Sequence, residues 1–194
     1  MKISIMFNLM LLFISITAYS QADKNLLDGA EKLELKESAL VIKGTSSLHD
    51  WTSNVEESSA YIVLNDKETQ IEKLNVIVEV KSIKNNKGSS LMDKLTRKAL
   101  KEKEFPRIKY EFINAIIVDD NGELLKLDLI GELTIAGKTN KVSIETVINK
   151  KGNRVILEGS HQLKMTDYGV DPPTALFGTV KTGNEITIDF SVEF

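Results

Sequence analysis

The chain carries two histidines, His49 and His161, and no cysteine. With Asp50 beside one and Asp167 near the other, these are the groups able to move protons near neutral pH. His49 sits in the stretch GTSSLHDW (44–51), which also holds Ser46, Ser47 and the single tryptophan, Trp51. Serine, histidine and aspartate are the residue types of a hydrolytic triad. Neighbours along an extended strand point to opposite faces, however, so His49 and Asp50 cannot both turn toward one serine without a distorted backbone. No G-x-S-x-G elbow, phosphate-cradling loop or dinucleotide fingerprint is present. A zinc site needs three or four ligands, commonly at short paired spacings, and no H-x-x-x-H or similar pair occurs. We therefore expect no catalytic residue, no metal and no cofactor.

The elements around these residues read mostly as strands. Alternating or continuous apolar runs occur at 33–43, 58–64, 73–80, 108–118, 124–135, 141–148, 153–165 and 185–194. Period two puts one row of side chains on each face of a strand. Turn chemistry separates the runs at Asp119–Gly122, Ala136–Lys138 and Lys150–Asn153. Short links imply sequential antiparallel pairing. The expected fold is all-β: an eight-stranded antiparallel up-and-down barrel, because closure removes exposed edges. One amphipathic helix, expected over 88–103, interrupts it between the third and fourth runs. There Leu91, Leu95 and Ala99 recur four apart, a serine can cap the start, and Pro106 prevents continuation.

Parity along each run selects the inward side chains. The third run presents Leu74, Val76 and Val78. The fourth presents Ile108, Tyr110, Phe112, Ile116 and Val118, and the fifth Leu127, Leu129 and Leu133. Ile144, Leu157, Leu163, Ile188 and Phe190 continue the apolar wall on the remaining strands. Leu176 and Phe177 sit in a long loop, 168–184, and read as cover for one barrel end, with packing of the loop on the outer wall the alternative. These are the candidate ligand-binding residues. An eight-stranded barrel is either just filled by side chains or holds one small ligand, and the pattern leaves both open. His161 falls in the apolar row. A lone histidine there is usually a core residue hydrogen-bonded to a neighbour; the alternative is a polar contact to an otherwise apolar ligand. His49, Asp50 and Trp51 read as a structural corner, with direct ligand contact the alternative.

The first residues, MKISIMFNLMLLFISITAYSQ, have the form of a secretory signal peptide over 1–20. Lys2 is the charged end, Met6 to Ile16 the apolar stretch, and Ala18-Tyr19-Ser20 the small-residue cleavage site. The expected mature domain is 21–194, periplasmic or secreted, with no stable membrane span after cleavage. The formal charge of −3 is spread without a basic patch, so nucleic acid is not an expected partner.

Four segments in order resemble the YceI-like family of secreted bacterial proteins. They are GTSSLHDW (44–51), SSLMDKLTRKALKEKEFPRIKYEF (89–112), LIGELTIAGKTNKV (129–142) and MTDYGVDPPTALFGTVKTGNEITIDFSVEF (165–194). The resemblance implies a lipocalin-like barrel whose tunnel binds polyisoprenoid chains such as quinones or polyprenyl phosphates. On that reading the partner is an isoprenoid or another long-chain lipid. The links Asn65–Gln70 and Lys84–Ser89 are shorter than in better-characterised members, which implies a smaller tunnel or none. Two other readings stay open: a filled barrel serving as a stress-response or interaction module, and an enzyme acting on a lipid or ester through His49 or His161. The sequence does not decide whether the chain forms a homodimer.

Overall fold

The computed structural model describes residues 31–65, 70–120, 124–152 and 154–194, so the expected signal peptide lies outside them. The extended segments are β1 (Glu31–Glu34), β2 (Glu37–Ser46), β3 (Trp51–Val55), β4 (Ser58–Leu64), β5 (Ile71–Glu79) and β6 (Ile83–Asn85). After helix α1 (Ser90–Ala99) come β7 (Arg107–Asp120), β8 (Leu125–Ile135), β9 (Lys138–Lys151), β10 (Arg154–Lys164), β11 (Thr174–Ala175) and β12 (Val180–Glu193). All the pairings are antiparallel.

Twelve segments replace the expected eight because three long strands bend and break their ladders and a two-residue strand, β11, is added beside β12. The register that joins Glu31 to Leu64 is the one that joins Gly44 to Trp51, so β1–β2 and β3–β4 are the two arms of one long hairpin. Likewise β5 and β6 are one strand interrupted by a 3-10 turn at Val80–Ser82. That interruption is satisfied locally: the Ser82 hydroxyl donates to the carbonyls of Glu79 (2.7 Å) and Glu57 (3.2 Å). Counted this way there are eight strands in sequence order. The last, β12, pairs back onto β2, from Glu193–Glu37 to Ile186–Gly44. The meander thus returns to its first strand.

Helix α1 forms within the expected span, starting two residues later and ending four earlier. The Ser89 hydroxyl accepts from the Met92 amide at 3.4 Å, satisfying one of the free N–H groups of the first turn. Asp93 in that turn also accepts from the Asn85 amide at 2.8 Å, which ties the helix to β6. Between β8 and β9 the chain reverses through Ala136 and Gly137, both at positive φ (49° and 81°), the two-residue hairpin whose twist matches the strands. The Phe105 ring lies where a Gly137 side chain would be, 2.4 Å from an added Cβ.

On β7 the structure corrects the expected face. Its ladder with β8 shifts between Phe112 and Asn114, so one residue is bulged and the parity flips. Ala115 and Ile117 now pair with the inward Leu129 and Leu127, whereas Ile116 pairs with the outward Asp128. Ile116, Ile117 and Val118 are all exposed, so of this stretch Ala115 packs against the core. The run INAIIV carries apolar residues at both parities, and its one polar residue, Asn114, falls just past the bulge.

The core follows the inward rows. Ile62 and Phe194 are fully buried, with Leu127, Leu129, Leu133, Val155 and Leu157 packed in the same cluster. Burying each such side chain stabilises the fold by about 1.5–3 kcal/mol.

Candidate ligand-binding site

The inward rows do not fill the barrel. A chamber of about 140 Å³ lies between Leu40 and Ile42 of β2, Val55 of β3, and Leu74, Val76 and Val78 of β5. Ile108 and Tyr110 of β7, Leu129 and Leu133 of β8, and Ile144 of β9 continue its wall. Leu157, His161, Ile188, Phe190, Val192 and Phe194 complete it. A second chamber of about 100 Å³ lies under α1, against Met92, Leu95, Ala99 and Leu100. Trp51, Leu163, Met165, Tyr168, Val170 and Pro173 close it from the other sides. Ile42, Ile108 and Ile188 border both chambers and form a neck between them.

The structure therefore brings together Leu74, Val76, Val78, Tyr110, Leu129, Leu133, Ile144, Leu157, His161, Ile188 and Phe190 around the first chamber, and places Leu163 at the second. Leu127 is buried and Phe112 half-buried in the same core; neither borders these two chambers, and Leu127 lines a separate hollow of about 200 Å³ with Ala115, Ile148 and Val155. Phe177 is corrected: it is fully exposed, on a turn with φ of 56°, and covers nothing. Leu176 lies in the same turn. The end of the barrel is covered instead by Val170 and Pro173, which come earlier in that loop. Sequence reasoning passed over Leu40, Ile42 and Val55. The run ALVI is continuously apolar; Lys43 at its end marks the outward parity, and the pairing with β12 agrees in placing Leu40 and Ile42 inward.

Two polar side chains interrupt the first chamber. Tyr110 is 8% exposed, and its hydroxyl is buried without a hydrogen-bond partner. Burial pushes its phenol well above the usual tyrosine range. The ring tip lies over Gly131, where an added Cβ would come within 2.5 Å of it, so glycine is required on β8 for the tyrosine to lie there. His161 is half-buried, and burial pushes its pKa below the ordinary histidine value. The hydrogen-bonding neighbour expected of a core histidine is not found for its ring among the described residues.

GTSSLHDW forms a tight corner between β2 and β3. The Ser46 hydroxyl accepts from the amides of Leu48 (3.2 Å) and His49 (3.1 Å) and donates to the His49 carbonyl (2.7 Å). His49 Nδ1 lies 2.7 Å from the Asp50 carbonyl oxygen. The Trp51 indole N–H donates to the Thr45 carbonyl at 3.0 Å, and its ring covers Gly44, whose added Cβ would lie 2.3 Å away. His49 and Asp50 are exposed and border a surface hollow, not a chamber. Of the three, only Trp51 reaches the interior. Among the described residues no three His, Asp or Glu side chains converge as a metal site would require.

Residues 32–194 match the model of the YceI-like domain. The chain belongs to that family. Among solved structures, the YceI-like chain is similar to BcnA of Burkholderia cenocepacia, with a TM-score of 0.67 at 16% identity over 81% of this chain and 96% of that one. It is also similar to the YCEI protein of Campylobacter jejuni, with a TM-score of 0.59 at 21% identity over 73% and 82%. A third likeness is to a polyisoprenoid binding domain from Saccharophagus degradans implicated in plant cell wall breakdown. Its TM-score is 0.63 at 12% identity, over 85% and 97%. No curated protein matches the sequence. At these identities the structures establish the YceI-like fold.

Proposed function

We propose that this protein binds and carries the apolar chain of a long lipid, of the polyisoprenoid class, in its two connected chambers. The observation that carries this reading is the interior itself: a hydrocarbon-walled space beneath a helix, running through an isoleucine neck. A binding role rather than catalysis is favoured by the polar groups. His49 faces a neighbouring carbonyl, and among the described residues no hydrogen bond joins the His161 ring to a carboxylate or hydroxyl, although Tyr110 and Asp167 border the same hollows. The Saccharophagus domain of the same fold is described as polyisoprenoid binding, which supports the ligand class by analogy. The N-terminal residues read as a signal peptide, and with family membership they support work in the periplasm or outside the cell.

Each chamber is close to the ~150 Å³ at which an apolar cavity stays dry and takes up a small ring. Pockets for drug-sized ligands run to about 300 Å³ and above. The chambers thus hold part of a long chain, and the walls must spread or the chain must emerge. Native mass spectrometry of protein purified from its own host tests the reading. An adduct of isoprenoid mass is expected. A ligand-free protein that also fails to take up geranylgeraniol would overturn it. His161→Ala and His49→Ala discriminate the enzymatic alternative, which requires turnover of a lipid ester to fall by roughly a hundredfold.

A further inference from the structure

The ladder between β9 and β10 is incomplete. β9 and β10 pair from Arg154–Lys151 to Gly159–Thr146 and then stop. Beyond that point β9 still pairs with β8 as far as Lys138, and β10 still pairs with β12 as far as Lys164. Two strands therefore run on with no ladder between them, as β5 and β7 also do beyond Asn75–Glu111. Continuing the register would set His161 opposite Ile144 and Leu163 opposite Val142, an apolar match on the inward face that gives no reason for the strands to part.

A groove of about 550 Å³ occupies the seam. Its lining includes residues of both faces of the wall. Lys141 and Gln162 belong to the outward rows, and Val142, His161 and Leu163 to the inward rows, yet all five border this one groove. His161 borders both the groove and the first chamber; Leu163 and Tyr168 border both the groove and the second. At its far end the seam is clasped, not open: the Asn140 side-chain amide donates to the Asp167 carbonyl at 3.0 Å. The opening is thus a bounded slot, held shut by ladder at one end and by this hydrogen bond at the other. His161 stands in it with no hydrogen-bond partner for its ring, free to swing without breaking a bond.

We propose that this slot is a side door of the barrel, through which the apolar chain passes into the chambers while the polar end of the molecule stays in the groove outside, with His161 as the leaf of the door. The inference rests on the lipid-binding reading above. It explains how a chain longer than the chambers is accommodated, since the slot leads from both of them to solvent. It also assigns the ends of the barrel a closing role only, α1 with Val170 and Pro173 sealing one of them.

A door alters how fast a ligand comes and goes, not how tightly it is held: association and dissociation change by the same factor and Kd stays put. The chain has no cysteine, so a cross-link can be introduced cleanly. Val142→Cys with Leu163→Cys, joined by a short bismaleimide, pins the seam. The probe is cis-parinaric acid, whose arrival is read by energy transfer from Trp51 in stopped flow. Cross-linking should slow uptake and release together by at least about tenfold, a barrier increase of about 1.4 kcal/mol, with Kd within a few-fold of the uncross-linked double variant. His161→Ala should speed both rates and His161→Trp slow both, which secures the test if the cysteine variant folds poorly. Unchanged rates after cross-linking, or histidine variants that alter release alone, would overturn the door while leaving lipid binding intact. Failure of the wild-type protein to bind the probe at all would overturn both.

Discussion

Replacing Tyr110 by phenylalanine removes one oxygen and keeps the ring. In the unfolded chain that hydroxyl is hydrated; in the barrel it is buried, 8% exposed as a residue, and bonded to nothing. An unsatisfied buried hydroxyl costs about 1–3 kcal/mol. Against this stand the few contacts the oxygen makes, each worth about 0.1–0.2 kcal/mol. The variant should therefore be more stable by about 1–2 kcal/mol, or roughly 3–6 °C in Tm for a chain of this size. Urea unfolding with an unchanged m-value is the assay. Alkaline pH gives a second arm. The folded-state pKa of Tyr110 is raised, so above about pH 10 the unfolded chain loses this proton while the folded chain keeps it. Stability must then fall as pH rises above 10, and less steeply in Tyr110→Phe. Destabilisation by 1 kcal/mol or more in ligand-free protein would refute the reasoning, because the hydroxyl would have to own a partner and the chamber would be less apolar than its geometry shows.

Further expectations concern single positions. Leu129→Asp, facing the first chamber, should unfold the protein or trap a protonated carboxyl, whereas the outward Asp128→Ala should be mild; equal damage in denaturant melts would place the β8 register one residue off. His161 has a lowered pKa in the folded state, so its contribution is complete above the ordinary value near 6.5 and is lost as pH falls below it. His161→Gln should flatten that acid limb of the stability profile, and an unaltered profile would count against burial of the ring. Trp51→Ala should cost about 2 kcal/mol, less than a fully buried tryptophan, since the ring is only half-buried. Gly44→Ala should displace the same ring and shift its fluorescence, and an unshifted spectrum would remove the contact. Phe177→Ser should leave melting temperature and probe binding unchanged, because the ring touches solvent alone.

Much of the barrel is legible in period-two patterning, but only where a strand is polar on one side. β8 reads cleanly because Lys126, Asp128 and Glu132 mark the outer row, so Leu127, Leu129 and Leu133 fall inward without ambiguity. β7 does not, since INAIIV is apolar at both parities apart from Asn114, which a single strand period does not tie to an extra residue at Ile113. The 168–184 loop was legible as a lid by its length and prolines, yet the choice of anchors went to its largest side chains. The chain turns earlier, at Val170, after a 3-10 turn that ends on Gly169 at φ 65°, and this carries Phe177 past the barrel mouth. The seam between β9 and β10 has no sequence signature at all. Both edges alternate as well as any paired strand, and a missing ladder is a property of how two strands approach, not of either one's composition.

Closure of the meander has a consequence for how the molecule is made. The ladder from Glu37–Glu193 to Ile186–Gly44 joins the first arm to the last strand, contacts separated by most of the chain. Nearly all other strand pairs are local hairpins that can form as soon as both partners exist. The closing ladder cannot form until the final strand is present, and ordering so long a loop slows folding. Until then β2 and β10 each offer a bare apolar edge, the kind that pairs with other chains. Newly made molecules should pass through a horseshoe-shaped, aggregation-prone stage, relieved in one step when the final strand slots between β10 and β2.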